Sequence, residues 1–109
     1  MKVTVREENN WKIIDLDGKL NEVSSQTLVQ EIDTQLNNDN NKIILNLEKL
    51  NFINSSGLGS LISIVKRVSQ NNGKLCLTNL QVFISDLFEI TKLTNIFDIK
   101  DTVEDALKS

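Results

Sequence analysis

The stretch Leu47-Glu48-Lys49-Leu50-Asn51-Phe52-Ile53-Asn54-Ser55-Ser56-Gly57-Leu58-Gly59-Ser60-Leu61 decides how this chain folds. It begins where the continuous apolar run Ile43-Ile44-Leu45-Asn46-Leu47 ends. Such a run marks a strand buried on both faces, as in a sheet covered by helices. A short connection carrying Phe52-Ile53 follows. Asn54-Ser55-Ser56 then opens a helix reaching Gln70, with Leu58, Leu61, Ile62, Val65 and Val68 as its core stripe. Asn54 or Ser55 can cap that helix by accepting a bond from a first-turn N–H. A helix start holds N–H groups without partners and roughly half a positive charge. Gly57 and Gly59 each cost the helix about 1 kcal/mol relative to Ala. Their presence predicts close approach to the backbone there by an anion or a partner surface.

Outward from this stretch the periodicity switches repeatedly. Val3 and Val5 alternate with polar residues as in a first strand, and Trp11-Lys12-Ile13-Ile14-Asp15-Leu16-Asp17 follows the Asn9-Asn10 turn. These two form a hairpin, with Trp11, Ile13 and Leu16 turned inward and Trp11 as a packing anchor. Leu28, Val29, Ile32 and Leu36 recur at helical spacing between Glu22 and Asn37. Lys74-Leu75-Cys76-Leu77-Thr78 reads as a strand, Val82 to Ile90 as a helix, Ile96-Phe97-Asp98-Ile99 as a last short strand, and Val103, Ala106 and Leu107 as a short terminal helix. The helix with Ile84, Leu87 and Phe88 is apolar over most of its circumference. Core packing accounts for part of it, and any remainder in water would form a patch suited to a partner. With no Pro and four Gly, Asn supplies the punctuation, since it tolerates left-handed backbone angles. No linker or internal repeat breaks the chain. The reading is one α/β domain over residues 1–109. Its four- to five-stranded sheet is mostly parallel with an antiparallel first strand, and about four helices lie mainly on one face.

Composition limits the chemistry. A length of 109 residues suits one domain and one core. A hydrophobic share of 39% with 25% charged residues belongs to a globular chain. The net charge of -3 argues against tracking nucleic-acid phosphates. Glu7, Glu8, Glu22 and Glu31 read as a solvated acidic face. There is no His for a nucleophile system or a metal, and the single Cys76 can form no internal disulfide or thiolate cluster. No apolar run approaches the ~20 residues of a spanning helix, and the start lacks the apolar core of a signal peptide. The expectation is a cytoplasmic protein with no membrane insertion, no cofactor and no metal, monomeric when free.

The helix start is no nucleotide loop. No Lys follows Gly57 or Gly59 at P-loop spacing, and Leu61-Ile62 stands where a dinucleotide fingerprint needs its third Gly. Ser55 has no His to activate it and no Lys at Ser-x-x-Lys spacing. No pair of carboxylates sits in an apolar run for acid–base work. The residues therefore argue against an enzyme. A plain helix cap and a binding surface both remain open.

Asn54-Ser55-Ser56-Gly57-Leu58-Gly59, after Phe52-Ile53, resembles the Asp-Ser-Ser/Thr-Gly-Leu-Gly signature of the STAS domain, specifically of the bacterial anti-sigma factor antagonists. Gly18-Lys19-Leu20-Asn21 is similar to the family's earlier Gly-x-Leu-Asp pattern, and the element order fits across nearly the whole chain. The resemblance implies that Ser55 is phosphorylated by an anti-sigma factor that is also a serine kinase. The unphosphorylated protein would bind that partner through Asn21, Asn54, Ser55, Ser56, Gly57, Leu58 and Gly59 and free a sigma factor. A phosphatase would reset it. Both acidic positions of the family pattern are Asn here, Asn21 and Asn54, which removes two negative charges from the site. A second reading, compatible with those replacements, is a constitutive STAS subunit of a lipid-transport complex or a stress-signalling scaffold, without phosphorylation.

Overall fold

Asn9 and Asn10 both adopt left-handed angles (φ 53° and 67°), as a two-residue turn between twisted strands requires. In the computed structural model, which describes residues 1–109, this turn joins β1 (Lys2–Glu8) to β2 (Trp11–Leu20) as an antiparallel hairpin. Then follow α1 (Glu22–Asn37), β3 (Lys42–Ile53), α2 (Ser55–Gln70), β4 (Lys74–Thr78), α3 (Val82–Ile90), a 3-10 turn (Leu93–Asn95), β5 (Asp98–Lys100) and α4 (Val103–Leu107). The sheet runs β1-β2-β3-β4-β5, and every pairing after the first is parallel. Asp39, Asn72 and Asn79 also take positive φ at loop positions, so Asn and Asp do act as the chain's punctuation.

Both faces of the sheet centre are covered, unequally. On one face Ile14, Leu16, Ile43, Leu45, Leu47 and Leu77 pack under Leu28 and Ile32 of α1, Leu61, Ile64 and Val68 of α2, and Ile84 and Phe88 of α3. On the other face Trp11, Ile13, Ile44 and Cys76 meet only α4, through buried Val103 and Ala106 and half-buried Leu107. This explains why Trp11, Ile13, Ile14 and Leu16 are all buried: their stretch of β2 has side chains pointing into both layers. Burial and then the Asp98 carboxylate, to which Cys76 Sγ donates at 3.3 Å, push the thiol up to about 12.

Two expectations change, and a third is made specific. The strand read at Ile43–Leu47 runs through Ile53, so the supposed connection is β3 continuing against β2. Past Asn46 the strand has left β4 behind, and exposed Glu48, Lys49, Asn51 and Phe52 surround buried Leu50. The last strand begins at Asp98, because Phe97 turns into the core and stacks on Phe88 at 5.0 Å. Helix α3 buries only Ile84 and Phe88, which leaves Val82 (76% exposed), Phe83 (43%) and Ile90 (80%) in water.

Candidate functional site: two helix starts side by side

The parallel register sets Leu20 opposite Ile53 at the C-terminal ends of β2 and β3. The helices that follow these strands therefore begin as neighbours. At two register shifts, opposite Asp15/Asp17 and opposite Gly18/Lys19, β3 carries one residue more than β2, and Gly18 beside the second takes a positive φ of 124°.

Each helix opens on an Asn. Asn21 Oδ1 accepts from the N–H groups of Val23 and Ser24, both at 3.2 Å, and Ser24 Oγ accepts from the Asn21 N–H at 2.9 Å, a reciprocal cap. Ser24 Oγ in turn donates to the Lys19 carbonyl at 2.7 Å, which ties α1 to the end of β2. Asn54 Oδ1 accepts from the Gly57 N–H at 2.9 Å, and the Asn54 N–H donates to the Leu20 carbonyl at 3.3 Å. The N–H of Leu58 is taken by the Asn54 carbonyl at 2.9 Å. That leaves the N–H groups of Ser55 and Ser56 with no acceptor in the chain. They point outward with the positive end of the α2 dipole.

The predicted residues do gather here, in different roles. Ser55 and Ser56 are exposed in the first turn of α2, and Leu58 is half-buried. The two glycines part company. Gly57 is buried, and a Cβ on it would press into the Leu20 carbonyl oxygen and come within 2.9 Å of Ile53 Cγ1. Packing inside the chain thus accounts for Gly57, with no partner needed. Gly59 is exposed, and nothing lies within 4 Å of where its Cβ would be. Internal packing gives Gly59 no reason.

One residue that the sequence places on a solvated acidic face has a contact of its own here. Glu22, in the first turn of α1, accepts from Asn54 Nδ2 at 2.8 Å. Between the helices, Ser25 Oγ donates to the Ser56 carbonyl at 3.5 Å. The signal that could have found Glu22 is its position next to the Asn21 cap. Its contact spans 32 residues and depends on the β2–β3 register. The first turn of α2 holds no acidic residue, so the site offers a hydroxyl and free N–H groups but no base beside Ser55 on its own helix.

The fold and site define a small α/β module with an exposed serine at a capped helix start. The chain belongs to the STAS domain family, whose model matches residues 2–106. It is 28% identical over 106 residues to BtrV of Bordetella bronchiseptica, a protein named as a proposed anti-sigma factor antagonist, covering 97% of this chain and 91% of that one. It is 30% identical over 77 residues to the anti-sigma-B factor antagonist of Staphylococcus aureus, covering 70% and 71%. The fold matches the anti-sigma factor antagonist SpoIIAA in its unphosphorylated form with a TM-score of 0.74 at 21% identity, covering 95% of this chain and 92% of that one. The phosphorylated form of the Bacillus protein SpoIIAA matches with 0.76 at 22%, covering 98% and 97%. No helix of the chain is long and apolar enough to cross a membrane.

Proposed function

We propose that this chain is an anti-sigma factor antagonist switched by phosphorylation of Ser55. Unmodified, it binds an anti-sigma factor that is also a serine kinase, and so releases a sigma factor for transcription in the cytoplasm. The observation that carries the reading is the exposed Ser55 hydroxyl at the start of α2, beside N–H groups that no atom of the chain uses. Relatives named for antagonising anti-sigma factors support it, as does a fold shared with a protein solved in both phosphorylation states.

The switch needs little motion. In phosphoryl transfer the Ser55 hydroxyl oxygen bonds to the γ-phosphorus of ATP, ADP leaves, and the hydroxyl proton passes to a base of the kinase. The product carries about -1.5 to -2 charges at neutral pH. The N–H groups and dipole at the start of α2 can hold them, so the domain stays folded. A partner seated on Asn21, Asn54, Ser55, Ser56, Leu58 and Gly59 instead meets new bulk and unmatched charge. A loss of about 3–4 kcal/mol lowers affinity a few hundredfold. A phosphatase that removes the group restores binding.

The test is capture from the source organism's lysate with wild type and Ser55→Asp, identified by mass spectrometry. The reading expects a serine-kinase anti-sigma factor with wild type and its loss with the variant. Equal capture of transporter or scaffold subunits by both proteins would replace it with the constitutive-subunit reading.

A further inference from the structure

Asn54 is held from two sides. Its Oδ1 accepts from the Gly57 N–H at 2.9 Å, while its Nδ2 donates to Glu22 Oε1 at 2.8 Å. These neighbours admit one orientation of the amide, since the N–H needs an acceptor and the carboxylate a donor. An aspartate at this position could still cap Gly57 but would face Glu22 as a like charge. Glu22 is exposed and pairs with no cation, so Asn54 is its one side-chain partner. Further along the helices, Arg67 Nη1 of α2 lies 2.9 and 2.8 Å from the Asp33 carboxylate oxygens of α1. At the site end the side-chain ties between α1 and α2 are the Asn54–Glu22 bond and the longer Ser25–Ser56 one at 3.5 Å.

We infer that Glu22 is a positioning residue for the switch: its bond to Asn54 joins the starts of α1 and α2 while Ser55 is unmodified, and a phosphate on Ser55 opens it. The inference rests on the reading of Ser55 as the modified residue. Two effects act together. The phosphate sits one residue from Asn54 and is a stronger acceptor than a carboxylate, so it competes for Nδ2. It also places about -1.5 to -2 charges near an unpaired carboxylate. The partner then meets a changed surface at both helix starts, not only at Ser55.

Phosphoserine can be installed at position 55 during synthesis, so the test needs no kinase. The first measurement is the thermal midpoint of wild type, Asn54→Asp, Glu22→Gln and the double variant. Asn54→Asp is expected to lower the midpoint of wild type by about 4 °C and to have much less effect in the Glu22→Gln background. The second is the phosphorylation-induced shift. The phosphoserine form is expected to lose about 2–4 °C more in wild type than in Glu22→Gln, and the Asn54 side-chain amide resonance should move on phosphorylation. Equal shifts in both backgrounds, or an amide resonance that stays in place, would overturn the role of Glu22. That result would leave the Ser55 switch standing. Finding Ser55 unmodified in cells would sink the switch and leave the measured coupling intact.

Discussion

Gly57 and Gly59 look alike in the sequence, and replacing each with alanine should have opposite effects on the fold. At Gly59 the helix gains about 1 kcal/mol, the ordinary difference between Gly and Ala in an exposed helix interior. Nothing within 4 Å of the new Cβ opposes that gain. For a chain of this length the midpoint should rise by about 4 °C. At Gly57 the same gain is available, but the methyl meets the Leu20 carbonyl oxygen and sits 2.9 Å from Ile53 Cγ1. Neither neighbour is free to leave: the Leu20 carbonyl accepts from the Asn54 N–H at 3.3 Å, and Ile53 ends a strand. The start of α2 must lift away from β2, and with a backbone oxygen as the obstacle the cost falls at the upper end of overpacking, about 2–3 kcal/mol, which outweighs the gain. Thermal unfolding decides this half. Calorimetric titration with the captured partner decides the other. Gly59→Ala should fold better than wild type yet bind at least tenfold more weakly, about 1.4 kcal/mol, because the new methyl occupies space the partner needs. A stabilised Gly59→Ala with unchanged affinity would refute the assignment of Gly59 to the interface. A Gly57→Ala protein as stable as wild type would refute the packing argument.

Three further outcomes follow from the same structure. Partial burial pushes the Asp15 carboxyl up, but hydrogen bonds from Arg6 at 2.8 Å and Asn46 at 2.7 Å outweigh it and hold the group below its ordinary range. Its contribution is therefore present above the unfolded value of about 4 and fades as pH falls through the lower folded value. Denaturant titrations of wild type and Asp15→Asn should differ at neutral pH and converge in acid, and a gap that widens in acid would contradict this. Cys76, 1% exposed and with its thiol pushed up to about 12, should resist alkylation by iodoacetamide at pH 8 until the chain unfolds. Rapid labelling of the native protein would show that the α4 layer opens. Ser24→Ala removes the reciprocal half of the α1 cap and the tie to Lys19, so it should cost about 1 kcal/mol in chemical unfolding.

Much of this architecture was legible because local chemistry and tertiary role agree. Asn54-Ser55 before an apolar-periodic run reads as a helix start, and Asn54 is that cap. Asn9-Asn10 reads as a tight turn, and both residues take left-handed angles. The remainder depended on contacts distant in sequence. Glu48 to Phe52 has neither clean alternation nor a continuous apolar run, because β4 ends early and only β2 accompanies that part of β3. Ile64 lies outside the α2 stripe that the spacing predicts, yet it is fully buried beneath the helix layer. The difference between Gly57 and Gly59 is set by the end of β2, more than 35 residues earlier in the chain. Glu22 looks like any surface acid until the register places it against Asn54. Of the apolar α3 helix, the sequence could say that core packing takes part of it, with a patch only if a remainder stays in water. Only the packing of Ile84 and Phe88 says which.

The most direct test of the switch is the affinity of the captured anti-sigma factor for this protein with serine and with phosphoserine at position 55, measured by titration calorimetry. The account predicts a drop of a few hundredfold on phosphorylation, about 3–4 kcal/mol, with the domain still folded by circular dichroism. Equal affinity of the two folded forms would contradict it.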